Sequence, residues 1–512
     1  MHQKANTLLP GCRSTGLLMA VLLIQLAVQS IHGQGTKSTH FDNNDMAMDL
    51  NEALSFQKYP TYYQYVDMME GFAAAYPDIC RLDTIGYSVE DRLLLALKIS
   101  DNVNEDEEEA SFLYSSTMHG DEIVGFVLML RLADTLLKGY GPDPEITTLV
   151  DNLQIWINPL ANPDGSYSGD NNLSMENADR LNVHSVDLNR DFPEATRGDE
   201  DDPSGREPET RHMMAFLTEN EFTLLANCHS GAEVVNYPWD GKPSLHVDND
   251  WYRFISREYA DEAKAVDPDY MWSFEDGITN GWDWYEALGT RQDYVNYYLG
   301  GREVTLELSD EYLLPSEELE NHWNINQRPL INYMSQCLYG IRGRVTDLET
   351  GDPLRARIFV MNHDSAYSVV HSSAQHGDYY RLIKEGLYDL IFSSPGYFDD
   401  TIHSVSVTDY QATLLDVQLQ PYELPVIPRN APAFRIYPNP AVNSFVLEGE
   451  NIPHGELELA LVSLEGKLVM HEIRYYEGSA IELSTRQMKA GVYLLRCTAG
   501  NYSEVKRLVL LK

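Results

Sequence analysis

The sequence predicts an α/β domain followed by two small β-rich domains, and three observations carry that prediction. Strand-like and helix-like patterns alternate from about residue 53 to 336. From Gly340 onward the pattern changes to short alternating segments separated by Gly, Asp and Pro turns. At 512 residues, the chain is also too long for one ordinary core.

The elements follow in order. Residues 62–76 read as a helix and 93–99 as a strand. The apolar runs Phe112-Leu-Tyr114, Phe222-Thr-Leu-Leu-Ala226 and Val304-Thr-Leu306 read as buried strands. Residues 121–137 form a long amphipathic pattern with Glu122 in its first turn, and 317–334 close the domain with another helix. Residues 337–420 then read as a small β-sandwich with strands at 341–345, 356–360, 379–383, 388–392 and 414–419. Pro421, Pro425, Pro428 and Pro432 stiffen a linker over 421–433, and a second β-unit occupies 434–512.

The N-terminus has a basic start (His2, Lys4, Arg13), an apolar stretch over 16–28, and small or polar residues through Gly33. This is the pattern of a secretory signal peptide over 1–33. Its apolar run is shorter than the ~20 residues a membrane span requires. No second membrane segment is visible, so signal removal leaves no transmembrane segment. Residues 34–52 form an N-terminal segment with room for a pro-segment. Cys80, Cys228, Cys337 and Cys497 are too widely spaced for a disulfide framework. A single bridge such as Cys80 with Cys337 stays open, and Cys228 reads as a small buried strand residue.

The formal net charge of −42 excludes nucleic acid as a natural partner, because phosphates are held by Lys and Arg. It favours cationic substrates through electrostatic steering. The acidic runs 101–109 and 199–202 offer oxygen ligands for structural Ca2+. Neither has the regular spacing of a known calcium loop, so both read as solvated loops.

The chemistry gathers at the ends of the apolar runs. His119 and Glu122 lie in Thr117-Met-His-Gly-Asp-Glu122, His229 in Ala226-Asn-Cys-His-Ser230, and Glu307 in Val304-Thr-Leu-Glu-Leu308. Ligands of α/β sheets sit at the carboxyl ends of strands. Two histidines and a carboxylate are what a catalytic Zn2+ takes, one ion with a position left open for water. Glu307 would be the free carboxylate such a site needs as general base. Asp187 is then a candidate for fixing the tautomer of a histidine ligand.

These residues resemble the zinc metallocarboxypeptidases, specifically the regulatory branch that includes carboxypeptidases N, E and D. The resemblance covers roughly 53–420. It includes Asn158-Pro-Leu-Ala-Asn-Pro-Asp-Gly165, Asp187-Leu-Asn-Arg190, Val235-Asn-Tyr-Pro-Trp-Asp240, Gly277-Ile-Thr-Asn-Gly281, Trp284-Tyr285 and Thr305-Leu-Glu-Leu-Ser309. It implies a mixed-sheet α/β/α catalytic domain over 53–336 and a transthyretin-like β-sandwich over 337–420.

The resemblance also implies roles. Glu307 would activate water and pass its proton to the leaving amine, and Arg180 would stabilise the oxyanion. Asn189 and Arg190 would hold the free carboxylate of a peptide C-terminus, with Tyr285 closing over the terminal residue. Asp240 and Gln292 would line the pocket for the terminal side chain and select Lys or Arg. The chain departs from the family pattern at Asp91 and Ser185, where glycine is usual. It departs also at Asp191, where asparagine is usual, and at Ser230-Gly-Ala.

Tyr437-Pro-Asn-Pro440, Leu464-Glu-Gly-Lys467 and Gly491-Val-Tyr-Leu-Leu-Arg496 resemble the C-terminal sorting domain of type IX secretion substrates. The expectation is a secreted or cell-surface enzyme that works with that machinery and cleaves peptide C-termini. Its rivals are a carboxypeptidase for other terminal residues or for diaminopimelate-containing cell-wall peptides, and a non-catalytic surface binding protein or adhesin.

Overall fold

A computed structural model describes residues 41–169, 172–422, 432–464 and 466–511. The signal peptide and most of the linker therefore lie outside the described residues. The chain divides into two compact units, parting at Tyr422.

The first unit is built on an eight-stranded sheet. Its strands are β1 (Cys80–Tyr87), β2 (Leu93–Ile99), β3 (Ala110–Ser116), β4 (Leu153–Asn158), β5 (Leu224–His229), β6 (Ala232–Tyr237), β7 (Ile278–Asn280) and β8 (Arg302–Ser309), in the order β1-β2-β4-β3-β5-β8-β6-β7. The sheet is mixed. Strands β4, β3, β5 and β8 pair in parallel, whereas β2 pairs antiparallel with β4 and β6 with β8.

Helices cover both faces. The larger core takes α1 (Tyr62–Ala75), α2 (Val124–Gly139), α4 (Asn249–Val266) and α5 (Leu319–Ser335), while α3 (Pro208–Asn220) packs on the other side. Strand β3 shows why: Phe112 and Tyr114 enter one core and Leu113 the other, so a continuous apolar run is buried on both faces. The expected α/β/α arrangement is the one observed. Among the described residues of this unit, Cys80, Cys228 and Cys337 are buried and free, so a Cys80–Cys337 bridge is not formed.

Eight further strands complete the unit as two sheets. β11 (Val370–His371), β10 (Arg357–Val360), β13 (Gly386–Ser393) and β14 (Asp400–Val407) form one; β12 (Asp378–Arg381), β9 (Gly340–Asp347) and β15 (Ala412–Leu414) form the other, with β16 (Val417–Leu419) also paired to β9. Ile341, Val345, Ile358, Leu390, Phe392 and Leu419 fill the space between them.

A buried ionic cluster fastens this sandwich to the large sheet. Asp248, at the start of α4, accepts hydrogen bonds from Arg302 of β8 (3.0 Å), Arg381 of β12 (2.8 and 3.1 Å) and His363 (2.7 Å). Arg381 also donates to Asp364 at 2.6 Å. Burial opposes the charge of Asp248, but Arg381 and Arg302 outweigh it and hold the carboxyl well below its usual range.

The second unit contains β17 (Ala433–Tyr437), β18 (Ser444–Glu450) and β21 (Ile481–Ser484) in one sheet, and β20 (Leu468–Tyr476), β19 (Gly455–Ser463), β22 (Gly491–Ala499) and β23 (Tyr502–Leu510) in another. Phe434, Phe445, Leu459, Leu495 and Leu508 form its core. No helix among the described residues is long and apolar enough to cross a membrane.

Candidate active site

The site sits where β3, β5 and β8 end. Strands β5 and β8 are in register with His229 directly opposite Glu307, so both side chains reach one cleft. His119 arrives from the turn after β3. There Thr117 holds φ at 60°, a conformation that costs a β-branched residue about 1–3 kcal/mol. The segment after β4 braces it: Asn162 N donates to Thr117 O (3.1 Å), and Thr117 Oγ1 donates to Pro159 O (3.2 Å). Gly120 follows because a Cβ there would lie 2.3 Å from the Gly165 backbone.

Glu122 differs from the sequence expectation. It lies in a turn closed by Glu122 N to His119 O (3.1 Å), and α2 begins only at Val124. Its carboxylate is engaged across the cleft instead of at the helix start, accepting from Ser230 N at 3.1 Å.

His119 Nδ1 lies 2.8 Å from Glu122 Oε1, His229 Nδ1 lies 2.7 Å from Glu122 Oε2, and the two Nδ1 atoms are 3.1 Å apart. The far nitrogens decide the tautomers. His119 Nε2 donates to Asp187 Oδ1 (3.1 Å). His229 Nε2 lies 2.7 Å from Asn227 Nδ2, while Asn227 Oδ1 has no partner; turning that amide end for end presents Oδ1 as the acceptor an Nε2–H requires and satisfies both groups. Burial pushes His229 down to about 4 against the pull of Glu122, so its ring is neutral. Two Nδ1 lone pairs and a carboxylate thus converge, a donor set that fits one Zn2+.

The remaining groups ring this centre. Arg180 reaches Glu122 (3.1 Å) and Asp187 (3.0 Å). Glu307 is buried with Oε2 unpartnered; burial, then the Glu122 charge, raises its carboxyl well above the usual range. Asn189 is seated by Asp187, which accepts its N–H at 3.0 Å, and Arg190 lies 3.5 Å from the Tyr285 hydroxyl. Tyr285 is 49% exposed, as a group at the mouth must be. All of these except Asp187 line one pocket with Asp240.

Asp240 is buried at the pocket base, where its Oδ1 accepts from Asn236 Nδ2 and Gln292 Nε2, both at 3.0 Å. A Cβ on Gly281 would stand 1.9 Å from that oxygen, so glycine keeps the base open.

Every candidate residue of the sequence reading is thus brought together. Three contributors were not singled out in advance: Asn227, Asn236 and Tyr312, which lines the pocket beside Gly231. Asn227 and His229 face the same way because side chains alternate along a strand, and that spacing was the available signal.

Three of the four departures have local explanations. Asp91 and Ser185 both hold left-handed backbone, at φ 59° and 62°, which is why glycine is the easier residue there. Asp191 accepts from Glu207 N at 2.8 Å, tying down the neighbouring loop. The acidic run 101–109 brings Asp101, Glu107 and Glu109 close together without enclosing them.

Comparison with known proteins agrees with this geometry. A zinc carboxypeptidase family model matches residues 65–328, and a secretion system C-terminal sorting domain model matches 435–511. Carboxypeptidase SOL1 of Arabidopsis thaliana is 34% identical over 75% of this chain and 80% of its own length. The human carboxypeptidase N catalytic chain is 33% identical over 70% of this chain and 85% of its own. Human carboxypeptidase D is 36% identical over 66% of this chain, which spans only 25% of that larger protein. Among solved structures, thrombin activatable fibrinolysis inhibitor shares the fold, with a TM-score of 0.50 at 20% identity over 57% of this chain and 77% of its own. The sorting domain marks the protein for type IX export to the cell surface or extracellular space. With regulatory-type relatives along most of its length and a cleft of matching chemistry, the chain belongs to the zinc carboxypeptidase family.

Proposed function

We propose that the enzyme removes single Lys or Arg residues from peptide C-termini outside the cell. The observation that carries this reading is the pocket base. Asp240 is a buried carboxylate whose flanking amides, Asn236 and Gln292, leave their oxygens unpartnered. A terminal cation with several N–H donors satisfies all three groups, whereas an apolar side chain leaves a buried charge unpaired.

The other residues take complementary parts. Arg190 and Asn189 bind the terminal carboxylate, and Tyr285 closes over it. A zinc ion held by His119, Glu122 and His229 supplies Lewis acidity toward the scissile carbonyl and the attacking water. Glu307 takes the water proton at its free carboxylate oxygen and returns it to the departing amine. Arg180 faces the oxygen on which charge develops, and Asp187 keeps both Arg180 and His119 in place.

The test is release of the terminal residue from peptides that differ only in ending with Lys, Arg, Leu, Phe or diaminopimelate, with and without a zinc chelator. Chelator-sensitive release of Lys and Arg, about 100-fold faster than of Leu or Phe, is expected. Equal release of Leu or Phe would discard the role of Asp240. Release confined to diaminopimelate would move the substrate to cell-wall peptides.

A further inference from the structure

We propose that Tyr367, carried by the sandwich, is a positioning residue for the specificity pocket of the large domain. The proposal rests on the reading of Asp240 as the base of that pocket.

The segment 239–242 that carries Asp240 is held from two sides. On one side Asp293 accepts the backbone N–H groups of Asp240 (3.0 Å) and Gly241 (2.8 Å). On the other, the rings of Trp239, Tyr297 and Tyr367 enclose the Lys242 ammonium, with Nζ at 3.9, 5.3 and 4.8 Å from the ring centres. Two of those rings come from the large domain and the third from the loop between β10 and β11 of the sandwich. Tyr367 stands edge-on to Trp239 at 5.0 Å and stacks on Tyr297 at 5.9 Å with an interplanar angle of 22°.

This loop is a fixed point. Next to Tyr367, Ser368 O accepts from Arg302 at 2.9 Å, and Ser368 Oγ donates to Asp364 at 3.1 Å. His363 and Asp364 are themselves bonded into the Asp248 cluster. Tyr367 is therefore held rigidly against Trp239 and Lys242, the two residues that bracket Asp240 and Gly241.

Charge gives the contact its purpose. Glu194 and Asp293 are buried behind Asp240, and both approach the Cβ position of Gly241 to 3.2 Å. Lys242 is a neighbouring cation; burial lowers its pKa, and the charges of Asp293 and Glu194 offset that only in part. The aromatic wall covers this half-buried ammonium and fixes it on the side of the segment where the acids lie. Asp240 is thereby left to bind the substrate cation, with its loop unable to drift.

The experiment compares full-length Tyr367→Ala and Tyr367→Phe with the parent on peptides ending in Arg or Leu. Tyr367→Ala should raise KM for the Arg peptide about tenfold with kcat and the Leu peptide little changed, and Tyr367→Phe should restore the parent value. Parental KM in Tyr367→Ala, or an equal loss on both peptides, would overturn the proposal. Should Tyr367→Ala fail to fold, Lys242→Met carries the same test: raised KM for Arg supports the role, and unchanged KM removes it. Asp240→Asn separates the two claims. Lost discrimination there, beside parental KM in Tyr367→Ala, overturns the role of Tyr367 alone. Retained discrimination overturns the pocket reading and this proposal with it.

Discussion

Two buried polar clusters in this protein look alike as residue sets and differ in how their charge is closed. One gathers His119, Glu122 and His229; the other gathers Asp248, His363 and Asp364. In the second, Arg302 and Arg381 already occupy the acceptor oxygens of Asp248, at 3.0 and 2.8 Å. In the first, Arg180 reaches only the edge, touching Glu122 at 3.1 Å, while two imidazole lone pairs face each other at 3.1 Å. The Asp248 cluster is finished by side chains alone and serves to join two modules. The histidine cluster is completed only by a cation, and that is the mark of a working site.

The comparison can be sharpened by removing one group from each cluster's surroundings. The largest effect should come from Glu307→Gln, which keeps the shape of the side chain but removes the base. A loss of about 10³-fold in kcat with an unchanged melting temperature is expected, and steady-state kinetics beside a thermal melt would check it. Asp248→Ala should do the reverse. Leaving the buried Arg302 without a carboxylate, and Arg381 with Asp364 alone, should cost about 3–5 kcal/mol of stability, measurable by urea unfolding at neutral pH.

The stability difference has a pH signature. Because the folded-state pKa of Asp248 is depressed, its contribution is complete above its unfolded value near ~3.9. It fades as pH falls from there toward the folded value, so parent and Asp248→Ala should converge below about pH 4.

Much of the catalytic centre was legible because chemistry and periodicity coincide there. His119, His229 and Glu307 end or interrupt apolar strands, and the strand order places those ends together. The Glu122 boundary was misread because its carboxylate bonds across the cleft, a tertiary demand that overrides helix-start signals. The Asp248 cluster left no trace in the sequence. Its members come from 248, 302, 363–364 and 381, four segments without shared spacing, and only folding makes them neighbours. Tyr367 was invisible for the same reason: its partners Trp239 and Lys242 lie more than a hundred residues away.

The most direct test of the contrast is metal content. Elemental analysis of the intact protein should find one zinc per chain, lost in His119→Ala and retained in His363→Gln. Zinc that survives in His119→Ala, or disappears in His363→Gln, would contradict the assignment of the open cluster as the metal site and the closed one as a structural joint.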